Sequence, residues 1–224
     1  MSDTGYFGNQ QPEDGANEFN ATSFLIRSIL AKISTATLVK VVNCTNTGGL
    51  SAVGYVDITP LVNMVDGNGN AVPHGVIYRC PYFRLQGGSD AVIIDPRPGD
   101  IGITIFADRD ISSATANKRQ SNPGSRRRFD MSDALYIGGV INGTPTQLVQ
   151  FSTTGITVTS PTKVTINSPE VLMNTTTLKV SGDIVDNYVT NPHNMGQMRT
   201  IYNTHTHGGV QTGSGSTSVP SVLE

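Results

Sequence analysis

Apolar residues along this chain recur mostly in short alternating runs, the period of strands, with two brief helical stripes near the ends. Residues 37–42 read as a β run, closed by a polar cluster over 43–49. Residues 53–64 give a second run, ended by Asp66-Gly-Asn-Gly, a hairpin signal because Gly and Asn tolerate the backbone of tight turns. Further runs follow at 75–85, 91–94 and 101–107, separated by Gly87-Gly88 and by the turn cluster 96–100.

Five short strands in roughly 75 residues, with no helix between them, predict a small barrel such as an OB-fold over residues 35–115, within a domain of residues 21–115. The chain is therefore expected to be all-β. Before the barrel, SFLIRSILAKI (residues 23–33) has apolar positions at 24, 25, 26, 29, 30 and 33, which fits a short helix or a helix leading into a strand. Residues 1–20 are polar and rich in Gly, Asn and Gln, as a flexible arm would be.

The strand pattern breaks at a basic linker loop, residues 116–130, carrying Lys118, Arg119, Arg126, Arg127 and Arg128. Such a charge run reads first as a solvated face, and next as a contact with a neighbouring subunit or protein. Nucleic acid is not favoured, because no aromatic residues interleave for stacking.

Residues 131–186 change the architecture. After runs at 134–140 and 147–151, short units recur: Ile156 and Val158, Val164 and Ile166, Val171 and Met173, Leu178 and Val180. Each offers two apolar residues on one face and then a turn of Ser, Pro, Asn, Thr or Gly. Two apolar residues per rung cannot close a core within one chain, so the remaining faces must come from other chains. Three chains about an axis, one strand per side, are the simplest closure, although the pattern alone does not separate three from two.

Composition narrows the functions. Charged residues are 14%, aromatics 6%, and Trp is absent, so anchors for a large compact core are scarce. A net charge of −2 gives no global reason to expect nucleic acid or an anionic membrane as partner. Cys44 and Cys80 are too few for a disulfide scaffold, and read as small core residues, with a single bridge or a reactive thiol as the other readings. The N-terminal residues lack the apolar stretch of a signal peptide, and no run approaches the ~18 apolar residues of a membrane span.

Residues 187–224 form the last region. Met195, Met198, Ile201 and Tyr202 fall on one face of a helix of about two turns, which reads as a packing stripe. Then comes Asn203-Thr-His-Thr-His-Gly-Gly and a low-complexity tail. In an extended segment His205 and His207 point the same way, about 6.6 Å apart, so both reach one metal ion. Between residues 187 and 223 there is no Asp, Glu or Cys, and the only other histidine is His193. One chain thus supplies too few ligands for a closed site. Three copies of the pair supply six imidazoles, which suits Fe(II), Ni(II) or Co(II) better than tetrahedral zinc.

The sequence of a small barrel, a short-strand region and a terminal IYNTHTHGGVQTGSGSTS resembles the central spike, or membrane-piercing protein, of contractile-tailed bacteriophage baseplates. PRPGDIGITIFADRDIS (residues 96–112) and RRFDMSDALYIGG (residues 127–139) are similar to the barrel of that family and to the start of its β-helix. The resemblance implies a homotrimer with an OB-fold collar, an intertwined trimeric β-helix and an apex in which His205 and His207 of three chains hold one iron ion. It further implies a place at the tip of the tail baseplate in the virion, contact with the tail hub, and passage through the host outer membrane on sheath contraction. Larger relatives carry a lysozyme domain between barrel and helix, an interval filled here by the basic loop alone.

Two other function classes fit the sequence less well. An enzyme would need paired acids in unlike environments, but Asp90, Asp95, Asp100, Asp108 and Asp110 read as turn and strand-end residues, and no nucleophile elbow, P-loop, dinucleotide fingerprint or HExxH occurs. No catalytic activity, small-molecule substrate or nucleic-acid partner is expected. A trimeric receptor-binding tail fibre or adsorption protein is the alternative, but fibres end in a bulky head and this chain ends in a short polar tail.

Overall fold

The computed structural model describes residues 10–46, 48–50, 54–186, 188–190, 193–204 and 213. The chain divides into two compact units, Met1–Pro161 and Thr162–Glu224. In chain order the strands are β1 (Ala36–Cys44), β2 (Tyr55–Pro60), β3 (Met64–Val65), β4 (Ala71–Val72), β5 (Ile77–Pro81), β6 (Leu85–Gly87), β7 (Asp90–Val92), β8 (Ile101–Phe106), β9 (Ala134–Gly139), β10 (Leu148–Ser152) and β11 (Gly155–Thr159). The helices are α1 (Glu18–Leu30), α2 (Ser112–Asn117) and α3 (Met195–Thr204). The chain is mostly β.

Five strands form one antiparallel sheet in the order β5-β2-β1-β8-β9. Burial alternates along the strands: Val39 and Val41 of β1, Val56 and Ile58 of β2 and Thr104 and Phe106 of β8 are buried, whereas Ile103 and Ile105 of β8 face outward, against the apolar alternation of that strand. Cys80, Ala134 and Tyr136 complete the core. Thr104 is fully buried, and its hydroxyl donates to the carbonyl of Leu135 at 3.0 Å, so no polar group is stranded there. The sheet curls until its two edges meet, through a parallel bridge between Tyr82 and Tyr136.

Within the five-stranded sheet, one strand differs from the expectation. The run at 91–94 pairs with β6 in a separate hairpin, and the fifth strand of the sheet is β9, from beyond the basic loop. The reason is local. Gly87 and Gly88 allow β6 to fold straight back, whereas β9 offers Ala134 and Tyr136 to the core. The hairpin at Asp66 forms as expected, with Asp66 accepting from the backbone N–H of Asn68 and Asn70 at 2.9 and 2.8 Å.

α1 begins at Glu18, inside the interval read as a flexible arm, because Asn17 caps it by accepting from the N–H of Asn20 at 2.8 Å. A 3₁₀ turn, Pro12–Gly15, precedes it. Both cysteines are free thiols. Cys44 and Cys80 each pair with Val56, on opposite sides of β2, so two strand spacings, about 10 Å, separate them and preclude a bridge. Burial pushes the Cys80 thiol up to about 12, with Asp57 adding to it.

The described residues of the second unit contain α3, an isolated bridge between Val185 and Asn194, and no strand. None of them is buried. The rungs expected at 163–180 therefore have no strand pairing in the single chain. A strand needs a neighbour for its backbone groups, and one chain with one short strand per rung offers none.

Candidate functional site

The two histidines named from the sequence, His205 and His207, lie outside the described residues. What precedes them is defined. α3 starts at a reciprocal cap: Asn194 accepts from the N–H of Gln197 at 2.6 Å, and the Gln197 side chain accepts from the N–H of Asn194 at 3.0 Å. The N–H of Met195 donates to the carbonyl of Ile184 at 2.9 Å, and Asp183 accepts from the N–H of Ile184 at 2.9 Å. α3 is described as far as Thr204, the residue before His205 in the sequence. The helix stripe of Met195, Met198, Ile201 and Tyr202 is exposed, as is His193. Among the described residues no group of three or more His, Cys, Asp or Glu comes together as a metal site would require.

Several acids of the first unit are held by arginines or backbone N–H groups. Asp133 is 1% exposed and receives a bidentate pair from Arg127, Nε to Oδ2 at 2.7 Å and Nη2 to Oδ1 at 3.0 Å. It also accepts from the N–H of Ile111 at 3.0 Å. Arg127 Nη2 lies 3.0 Å from Asp110 Oδ1 as well. Hydrogen bonds from Ser112 and Ser125, with the Arg127 charge, hold the Asp110 carboxyl down at about 2. Arg127 is thus not part of a solvated charge run. It clasps both ends of the basic loop, while Lys118, Arg119, Arg126 and Arg128 remain exposed.

A second cluster stands where the sheet edges meet. The Tyr82 hydroxyl donates to Asp95 in a short hydrogen bond, and Arg84 Nη2 reaches both groups at 3.0 Å. Asn46 Nδ2 donates to the Tyr82 oxygen at 2.9 Å, and the N–H of Gly48 to Asp95 at 2.8 Å. Burial would raise the Asp95 carboxyl, but the hydrogen bonds from Tyr82, Gly48 and Arg84 outweigh it and hold it below the usual range. Burial, then the Asp95 carboxylate, pushes the Tyr82 phenol up. Of the other acids, Asp100 closes a turn by accepting from the N–H of Arg97 at 2.8 Å, and Asp108 makes only an exposed pair with Arg109 at 3.7 Å.

Sequence reasoning missed both clusters, since nothing in the spacing of Arg84 and Asp95, or of Asp110, Arg127 and Asp133, marks them as partners. The one available signal was Arg127 standing six residues before Asp133, within loop reach.

Residues 202–221 match the family model of the GpV Apex motif. The matched stretch begins at Tyr202, in the last turn of α3, and contains both His205 and His207. No curated protein matches the chain. The apex match points to a structural protein of a phage tail spike, carried at the tail of the virion.

Proposed function

We propose that this chain is one of three identical subunits of the central spike of a contractile-tail baseplate, and that the spike pierces the host outer membrane during contraction. The match to the apex motif over residues 202–221 carries this reading. In it, the barrel is an OB-fold collar seated on the tail hub, residues 131–186 wind into a trimeric β-helix, and residues 187–224 form the leading tip.

The collar assignment is supported by a sheet of five strands whose edges, β5 and β9, meet in parallel. The trimeric β-helix is supported by what the single chain leaves uncovered. Val164, Ile166, Val171, Met173, Leu178 and Val180 are between 48% and 65% exposed. The β10–β11 hairpin continues the pattern, with Val149 opposite Val158 and Phe151 opposite Ile156 on one exposed face. Covering the six rung residues is worth on the order of 5–10 kcal/mol per protomer before ordering costs. Their regular recurrence fits symmetry copies better than one irregular partner.

His205 and His207 of the three chains would hold the apical ion. The donor chemistry fits, since residues 187–223 supply imidazole and no carboxylate or thiolate. Six such nitrogens suit iron, with nickel or cobalt as the other choices. The ion would join three chain ends at the tip that bears the load. The role is mechanical rather than catalytic: the acids that might serve an enzyme are held by arginines or spent on turns. Nucleic acid and small molecules have no part in it.

Native mass spectrometry with metal analysis tests the assembly. Three chains and one ion per particle are expected, and a monomer or one ion per chain overturns the reading. Electron microscopy of phage particles lacking the protein tests the role. Adsorption without infection fits a piercing spike, whereas lost adsorption favours a receptor-binding fibre.

A further inference from the structure

α1 has two unlike faces, and the apolar one points away from its own protomer. Asn20, Ala21, Phe24 and Ser28 are half-buried along one side. On the opposite side Phe19, Leu25, Ile26, Ile29 and Leu30 are between 52% and 79% exposed. A 13-residue helix is marginal on its own in water, so an uncovered stripe of five large apolar side chains needs a partner surface.

The spacing says what kind. Phe19, Thr22, Ile26 and Ile29 are separated by three, four and three residues, the a and d positions of a coiled coil. Ile at both a and d, as in Ile26 and Ile29, favours three or four strands over two. Leu25 and Leu30 then fall at the flanking g and e positions, five residues apart, where a parallel neighbour brings one against the other. Charge agrees as well. A charge on a symmetry seam would face its own copies, and between Phe19 and Leu30 the helix has a single charge, Arg27, which lies off the seam. The stripe amounts to on the order of 500 Å² per helix, short of the ~800 Å² a side of a standard interface. It therefore supplements an interface made elsewhere in the chain.

We propose that α1 from three protomers forms a short parallel three-helix coiled coil that locks the N-terminal end of the spike. This rests on the trimeric reading, because tethering by the rest of the assembly supplies the effective concentration that a two-heptad seam requires. The device would complement the apical ion, with each end of the molecule held by contacts that three chains share.

The test uses the full chain carrying Cys44→Ser, with Ile26→Cys added on the seam or Arg27→Cys off it, and a flexible tris-maleimide as cross-linker. Ile26→Cys should give a covalent trimer on a denaturing gel, at least about tenfold more than Arg27→Cys, since three seam thiols share an axis. Ile29→Cys, at the other seam position, should repeat the result if the first substitution weakens the helix. Sedimentation of the uncross-linked protein separates the two ideas. A trimer in which neither seam variant cross-links above Arg27→Cys overturns the coiled coil and leaves the spike reading standing, as docking of α1 on another protein would. A monomer overturns both.

Discussion

The backbone N–H of Phe83 donates to the carbonyl of Tyr136 at 2.7 Å, and this bond joins the two edges of the five-stranded sheet. Tyr136 is 2% exposed, and the room it occupies is left by Gly102, where a Cβ would meet both the Tyr136 side chain and the backbone carbonyl of Gly138. Backbone cannot swing aside as a flexible side-chain end can. Gly102→Ala should therefore lower the stability of the first unit by about 2 kcal/mol, and Gly102→Val by more. Urea unfolding followed by tyrosine fluorescence checks this, and an unchanged midpoint for Gly102→Val contradicts it.

Arg127 is the only basic-loop residue tied to buried carboxylates among the described residues. Removing it leaves Asp110 and Asp133, both nearly buried, facing each other without their cation. Breaking such a pair costs about 3–5 kcal/mol when fully buried, but Arg127 is 35% exposed, so about 2 kcal/mol is the expected loss for Arg127→Met. The segment between Ile111 and Asp133 should also become a proteolytic site, whereas Arg126→Met and Arg128→Met should cut no faster than wild type. Equal cleavage in all three variants would remove the clasp from the account.

The same clasp sets a pH dependence. Asp110 titrates near 2 in the folded chain and near 3.9 when unfolded. Between those values the unfolded state binds more protons, so this contribution is complete above about pH 4 and is lost as pH falls toward 2. Asp110→Asn should flatten the slope of stability against pH in that window without abolishing it, because Asp95 and Asp130 are also held below the ordinary carboxylate range. Urea midpoints at pH 2.5 and 5 for both proteins make the comparison. A slope equal to wild type rules out Asp110 as a contributor.

How much of this was legible beforehand follows from what sets each feature. The runs at 37–42 and 101–107 announce themselves because each is apolar and β-branched and bounded by turn residues; the first lies within β1 and the second overlaps all of β8. In the sequence β9 goes with the next region because residues 127–139 resemble the start of the family's β-helix, and only its pairing with β8 decides otherwise. Apolar periodicity places the start of α1 five residues late, because that start depends on a single cap, Asn17. The clasp at Arg127 is a tertiary pairing across a loop, and no spacing rule encodes it. At the tip, the His-x-His pair was visible in the sequence because it stands alone in a stretch free of other ligand types.

The rungs test the oligomer directly. Val164 and Ile166 are 61% and 65% exposed in the single chain and would turn inward in a three-chain helix. Replacing both by Asp would set six carboxylates about one axis with no counter-charge, a cost well beyond what the remaining rungs offset. Sedimentation of Val164→Asp/Ile166→Asp should show monomer or soluble aggregate in place of trimer. The first unit should keep its wild-type urea midpoint, since neither residue belongs to its core. Trimer persisting in this variant would mean that the rungs do not carry the assembly.

The histidine pair should behave in the opposite way. The match to the apex motif covers His205 and His207 and reaches no rung. On the trimeric reading, the apolar surface that would drive association lies instead in the β10–β11 hairpin and at residues 164–180. Metal and trimer are then separable: His205→Ala/His207→Ala should lose the bound ion while sedimenting as wild type. Each single substitution would remove three of the six proposed ligands and should weaken ion binding by at least about tenfold, without a change in assembly. The tip should show the loss, as faster cleavage of the chain beyond Thr204 by a nonspecific protease. If the double variant retains its metal, the ion is held elsewhere. If it loses the trimer along with the metal, the ion is a condition of assembly rather than a cap on it, and the stabilisation assigned to the rungs must be reduced accordingly.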